Sequence, residues 1–335
     1  MPTAEPECNE ALLGRRHLIS ADKLGVDMAA SAPKERVPAA CAGPASPWLR
    51  SQAAAMEDTV DLSQQTVNRL CKLPVFRPVA TRVLQVLSQE SPEIATVSGL
   101  IQSDAGLSAE LLTLANSPLW GCEGTIRSVT RAIVVLGLQR TNRLMMTVAM
   151  RVYLKGCPSL HPEAVRRCWN HCLACAMAAE ELAPAWGLGK DVAYTAALLH
   201  DIGRAGLLAA FPKEYGPLLL EEVESVLEAC NVEKLRFDMD HCRAGQFLVR
   251  TWGLPAEFAE ISARHHEPVV GEGVVSLVQA ACQCADALGF AAMPARRVPT
   301  LEELRARLPA PLEARFSCDP GKLQEKIERA ISSLG

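Results

Sequence analysis

Residues 196–208, AALLHDIGRAGLL, set His200 beside Asp201 inside an otherwise apolar run. Burying either group without a partner is strongly unfavourable. Two readings remove that cost. One is a buried His–Asp hydrogen bond. The other is a pair of metal ligands whose partners lie elsewhere in the chain.

Helical spacing continues on both sides of this run. Upstream, FRPVATRVLQVLSQES places Val79, Val83, Val86 and Leu87 on one stripe, and IATVSGLIQSDAGLSAELLTLANSP reads as two short helices separated by SDAG. Downstream, DPGKLQEKIERAISSLG has Asp319 as N-cap, Pro320 at the first helical position, and Leu323, Ile327, Ile331 and Leu334 on one stripe. Aromatic residues are 4% of the chain, and alternating Val/Ile/Thr runs with hairpin turns are missing. The fold class predicted is all-α. Residues 1–57, rich in Ala, Pro and mixed charge, show no sustained period and are expected to form a disordered leader.

With 335 residues, 49% of them hydrophobic, the chain can bury a sizeable core. A net charge of -4 gives no global attraction to phosphate backbones or anionic membranes, so nucleic acid is disfavoured as a partner. No window reaches the length of a membrane span. The acidic opening MPTAEPECNE does not suit a signal peptide. Thirteen cysteines, an odd number, then point to reduced thiols and a cytoplasmic location.

Five of the seven histidines lie between positions 171 and 266. In AVRRCWNHCLACAMAAEEL, Cys168, His171, Cys172, Cys175, Ala179 and Leu182 share one helical face, so His171 looks inward. In LPAEFAEISARHHEP, Phe258, Ile261 and His265 form a core stripe with His266 beside it. In VVSLVQAACQCADALG, Asp286 ends a stripe with Val275, Val278 and Cys282. Singly, each is a core histidine or a cap. Together, several imidazoles and two carboxylates on inward faces call for a common partner, and a divalent cation supplies one.

LLHDIGR, preceded by His171 and followed by DHCRAGQFLVRTWGLPAEFAEISARHHEP, resembles the HDOD domain, the HD-related output domain of bacterial signalling proteins. LCKLPVFRPVATRVLQVL, LIQSDAGLSAELLTLANSP and SVTRAIVVLGLQRTNRL resemble that family's first helical lobe. The resemblance implies an HDOD domain over 58–290, with lobes at about 60–150 and 160–290, followed by a helical extension over 291–335. It implies metal ligands at His171, His200, Asp201, His241, His265, His266 and Asp286, for one or two iron, manganese or zinc ions. It also implies a regulatory protein acting through a signalling partner. The alternative is a metal-dependent phosphohydrolase or phosphodiesterase of the HD superfamily, acting on a phosphate ester or nucleotide, with Asp201 bridging two ions and Arg204 neutralising phosphate charge.

Three departures bear on that alternative. The glutamate that some two-metal members place one helical turn before the first histidine is Arg167. The Gly-Tyr-Pro element of the two-metal phosphodiesterases is replaced by HHEPVVGEGVVSLV, and the lysine that often follows the HD aspartate is Arg204, which donates no proton at neutral pH. Cys168, Cys172 and Cys175 resemble metal-site spacing, but they lie at i, i+4 and i+7 on one apolar stripe, and small core residues are the better reading than a thiolate metal site. LRARLPAPLEAR reads as a solvated surface helix and turn, and neither His17 nor His161 is given a role.

Overall fold

The computed structural model describes residues 62–89, 91–116, 125–157 and 161–334, and the leader expected over 1–57, His17 included, lies outside them. Seventeen α-helices run through the described residues. The only β pairing among them is an isolated parallel bridge between Val223 and Ala295. The first six helices are α1 (Leu62–Cys71), α2 (Pro78–Leu87), α3 (Ile94–Gln102), α4 (Ala105–Ala115), α5 (Val129–Leu136) and α6 (Leu138–Lys155). The central group is α7 (Pro162–Trp186), α8 (Lys190–Leu199), α9 (Ile202–Ala210), α10 (Tyr215–Leu220), α11 (Val226–Phe237), α12 (His241–Thr251), α13 (Ala256–Arg264) and α14 (Val274–Ala287). The chain closes with α15 (Leu301–Arg307), α16 (Ala310–Arg315) and α17 (Pro320–Leu334).

The core is organised around α7. Pro162 starts it at a position that needs no N–H partner, and Gly187 ends it with a left-handed φ of 67°. The one-faced stripe expected here is too narrow: every residue from His171 to Ala179 is buried. Small side chains (Cys172, Ala174, Cys175, Ala176, Ala178, Ala179) let α8, α14 and α17 pack against α7. A helix buried on all sides loses the polar face that periodicity depends on.

Local corrections have the same origin. The last helix buries Leu323, Ile327, Ala330 and Leu334, with Ile331 turned half out. In α2, Ala80 and Leu84 are buried beside Val83 and Val86, and Val79 is only half-buried. LRARLPAPLEAR is two short helices that pin Leu304, Leu308 and Leu312 inward, where a solvated segment was expected. The SDAG junction is as read, with Asp104 capping α4 through the Leu107 N–H.

Candidate metal centre

The apolar helix AALLHDIGRAGLL is broken at its ionisable pair. His200 closes α8, and Asp201, at φ −101° and ψ 23°, stands at the entry to α9. Both side chains are thereby held between two helices instead of along one face. Gly203 permits the next step. A Cβ there would collide with the His241 carbonyl and the Gly245 N–H, so its absence lets α9 lie directly on the start of α12 and brings Asp201 to His241.

His241 begins α12 directly after Asp240, whose side chain caps the Arg243 N–H at 2.8 Å. His265 and His266 follow the last residue of α13, His171 lies midway along α7, and Asp286 is in the last turn of α14. His171, His200, Asp201, His241 and His265 are each no more than 3% exposed. His266 is half-buried.

Four of these imidazoles are oriented alike. Nδ1 of His171 donates to Phe290 O at 2.9 Å, Nδ1 of His200 to Ala197 O at 2.5 Å, Nδ1 of His265 to Ser262 O at 2.8 Å, and Nδ1 of His241 to Glu233 Oε2 at 2.6 Å. Each Nε2 therefore faces into the pocket, where His241 Nε2 lies 3.3 Å from Arg204 Nη2 and His171 Nε2 lies 3.5 Å from Cys175 Sγ. His241 Nε2 lies 3.3 Å from His265 Nε2 and 2.9 Å from His266 Nε2. Asp201 Oδ1 is 3.4 Å from His241 Nε2 and 3.5 Å from His265 Nε2, while Oδ2 is 3.7 Å from His171 Nε2. His200 Nε2 and Asp201 Oδ1 are buried with no hydrogen-bond partner. These two buried acceptors lack a donor, or a cation, in a dry pocket. Outer-side Nδ1 bonds with inward Nε2 atoms are the arrangement that orients histidines on a cation. The donor set therefore suits a divalent metal ion.

The charges lead to the same conclusion. Burial pushes His241 down, yet Glu233 and Asp201 more than reverse this and carry it to about 9. His171 rises to about 10 against its burial, through Cys282, Asp286 and Asp201. Burial alone would raise Asp201, but Arg204 and His241 hold it well below the usual carboxylate range. Burial pushes His265 down and, with His265, takes His266 to about 3, so a metal ion would compete with protons at His171 and His241 and meet unprotonated nitrogens at His265 and His266.

Of the seven expected ligands, His171, His200, His241 and His265 gather around Asp201, and His266 joins them through His241. Asp286 stands at the edge, with Oδ1 3.5 Å from His171 Nδ1, the nitrogen that faces away from Asp201. Burial lifts Asp286 to about 7. Arg204 is enclosed: Nε meets Asp201 Oδ2 at 2.8 Å and Nη1 meets Glu233 Oε1 at 3.0 Å and Tyr215 Oη at 3.4 Å.

Sequence reasoning missed Glu233, which is fully buried and holds both Nδ1 and the backbone N–H of His241. It also missed Tyr215, which donates to Glu233 Oε1 at 2.7 Å. A signal for Glu233 was present, since it shares the inward face of α11 with Ala229, Cys230 and Phe237.

The cleft leading to the site is lined by His171, Arg204, His266 and Asp286 and by apolar side chains including Val223, Val226 and Met293. Its volume is about 20 Å³. That admits a water or an ion, whereas drug-sized ligands occupy roughly 300 Å³ or more.

A family model described as HDOD domain matches residues 73–268. An HDOD domain protein of unknown function from Geobacter sulfurreducens is 21% identical, with a TM-score of 0.65 covering 82% of this chain and 94% of that one. A candidate phosphohydrolase from Shewanella amazonensis SB2B is 20% identical, with a TM-score of 0.57 covering 80% and 94%. Both likenesses are likenesses of fold. A curated relative, an uncharacterized protein of Treponema pallidum (strain Nichols), is 22% identical over 210 residues, 62% of this chain. The chain spans about 40% of that relative's length.

Proposed function

The chain belongs to the HDOD domain family, and we propose that it is a regulatory module whose small pocket holds one or two divalent metal ions and whose output passes through protein contacts. In this reading Asp201, His241 and His265 hold an ion, His171, His200 and His266 complete the pocket, and Asp286 borders it. Iron, manganese and zinc all suit imidazole with carboxylate. The helices before and after residue 155 act as two lobes, with those beyond 290 as an extension, and the protein works in the cytoplasm. Among the described residues no helix is long and apolar enough to cross a membrane.

The observation that carries the regulatory reading is the small volume of the cleft, about 20 Å³. Arg204 adds to it. Its guanidinium is committed to Asp201, Glu233 and Tyr215 and is 3% exposed, so it is not free to meet a phosphate. The partner expected is a signalling protein. Leu227 and Leu235, 66% and 60% exposed on the outside of α11, offer it apolar contact on the helix that turns Glu233 inward.

A second reading, a phosphohydrolase or phosphodiesterase, is favoured by one feature. The two oxygens of Asp201 face different histidines, as a carboxylate bridging two ions would. A bound divalent ion supplies Lewis acidity toward water and phosphate oxygens. Asp201 would then position the ions, and Arg204 would balance the charge of Asp201.

The test uses the full-length protein purified without chelator. Metal content is measured, and hydrolysis of an aryl phosphodiester, cyclic dinucleotides and nucleotides is assayed with manganese, iron or zinc. The expected result is bound metal with no turnover above an Asp201→Ala control. Turnover that vanishes in Asp201→Ala would replace the regulatory reading with the enzymatic one. Absence of bound metal under every condition would end the metal reading.

A further inference from the structure

Beside the histidines lie two thiols with no part in the HD pattern. Cys175 is one turn after His171 on α7, and Cys282 is one turn before Asp286 on α14. Both are buried, at 0% and 1% exposure. Cys175 Sγ is 3.5 Å and Cys282 Sγ is 3.7 Å from His171 Nε2. One ligand atom each from His171, Cys175, His200 and Cys282 all fall within 4.8 Å of one another. Metal–ligand bonds of about 2.0 Å to nitrogen and 2.3 Å to sulfur at tetrahedral angles give ligand–ligand edges of about 3.3 to 3.8 Å. The two sulfur–nitrogen separations are of that length.

We propose that His171, Cys175, His200 and Cys282 form a thiolate-bearing metal position beside Asp201, one that selects zinc-class ions over oxygen-seeking ones. The proposal rests on the reading of this pocket as a cation site and adds to it the ligands and the metal class.

Three observations support it. His200 Nε2 is buried without a hydrogen-bond partner, so one corner of the tetrahedron is unsatisfied in the protein alone. Asp286, the carboxylate that the family resemblance assigns, sits on the Nδ1 side of His171, and it is Cys282 that occupies the Nε2 side. The third observation is charge. Asp201 already faces Arg204, and Glu233 lies between Arg204 and His241, which leaves little uncompensated negative charge for a buried dication. Two thiols that each give up a proton to solvent as their sulfurs bind supply two negative charges, and the centre becomes neutral. Two sulfurs with two imidazoles in tetrahedral array are the ligand set of zinc, whereas manganese and magnesium favour oxygen.

The experiment uses the full-length chain kept under reductant, stripped of metal and loaded with cobalt(II) or zinc(II) alone. Cobalt should produce thiolate-to-metal charge-transfer absorption in the near ultraviolet. That absorption should disappear in Cys175→Ser/Cys282→Ser and persist in Cys230→Ser/Cys242→Ser, which removes the thiols beside His241. X-ray absorption of the zinc-loaded Cys230→Ser/Cys242→Ser protein should show a sulfur shell at about 2.3 Å beside nitrogen at about 2.0 Å. This second measurement keeps both proposed thiols, so it decides even if Cys175→Ser/Cys282→Ser fails to fold. Bound metal with no sulfur shell, or a band that survives Cys175→Ser/Cys282→Ser, overturns the thiolate site and leaves the cation site standing. Failure to bind either metal overturns both.

Discussion

Glu233 touches no expected metal atom, yet it fixes the histidine that would. Its carboxylate takes the backbone N–H and Nδ1 of His241, the guanidinium of Arg204 and the hydroxyl of Tyr215. Arg204 and His241 bring it down to about 2 although burial opposes this, so it is ionised at neutral pH. Replacing it by glutamine keeps the shape and removes the charge that orients and polarises the imidazole. Loss of such an outer partner lowers metal affinity about 10- to 100-fold. Glu233→Gln is therefore expected to weaken zinc or manganese binding by that factor, measured by competition with a chromophoric chelator. Unchanged affinity would show that His241 does not ligate. At this scale His171 and His265 were legible from helical stripes and His200 from its apolar run, His241 and His266 gained roles only through the family resemblance, and Glu233 was legible in principle from its own stripe. Cys175 was legible only as a core residue, because nothing in a stripe reveals that the facing helix carries Cys282.

At the scale of elements, α7 gathers the fold through one charge cluster away from the histidines. Glu180 accepts both Arg143 Nη atoms at 2.7 and 3.1 Å and Lys326 Nζ at 2.9 Å, which ties α7 to α6 and α17. Arg143 also stacks over Tyr194 of α8, 3.9 Å from the ring centre. Burial would raise the Glu180 carboxyl, but Arg143 and Lys326 outweigh it and bring it to about 2. The folded value lies below the unfolded one. The stabilisation is therefore complete above about pH 4.5 and is lost as pH falls toward 2. At about 1.4 kcal/mol per unit it amounts to at most about 3 kcal/mol. Urea unfolding between pH 6 and pH 3 should show Glu180→Gln losing less stability on acidification than the parent. Parallel losses would remove the cluster from the account. The break between α8 and α9 was not legible as a break, since AALLHDIGRAGLL keeps apolar spacing throughout. The near-contact of Gly203 with α12 decides where the chain turns.

At the scale of the whole molecule, the expected ligands come from α7, the α8–α9 junction, α12, the end of α13 and α14, so a bound ion would join helices far apart in sequence. An ion that binds only the folded state at about 100 times its dissociation constant stabilises it by about 2.7 kcal/mol. For a unit of this size that raises Tm by roughly 5 to 10 °C. Thermal unfolding with and without zinc or manganese, reversed by chelator, checks this, and an unmoved Tm would mean that no ion links these helices. The sequence by itself determined the all-α class, the helical neighbourhoods and the inward direction of His171, His265 and Asp286, because these follow from the period of a helix and the cost of burying charge. Only the tertiary structure decided that the middle of α7, His171 to Ala179, is buried on every side, that Arg204 is locked between two carboxylates and that Asp286 sits beyond the far nitrogen of His171. It also decided that two cysteines face the nitrogen that Asp286 does not. These depend on how separate helices approach one another, and periodicity within one helix carries no information about its neighbours.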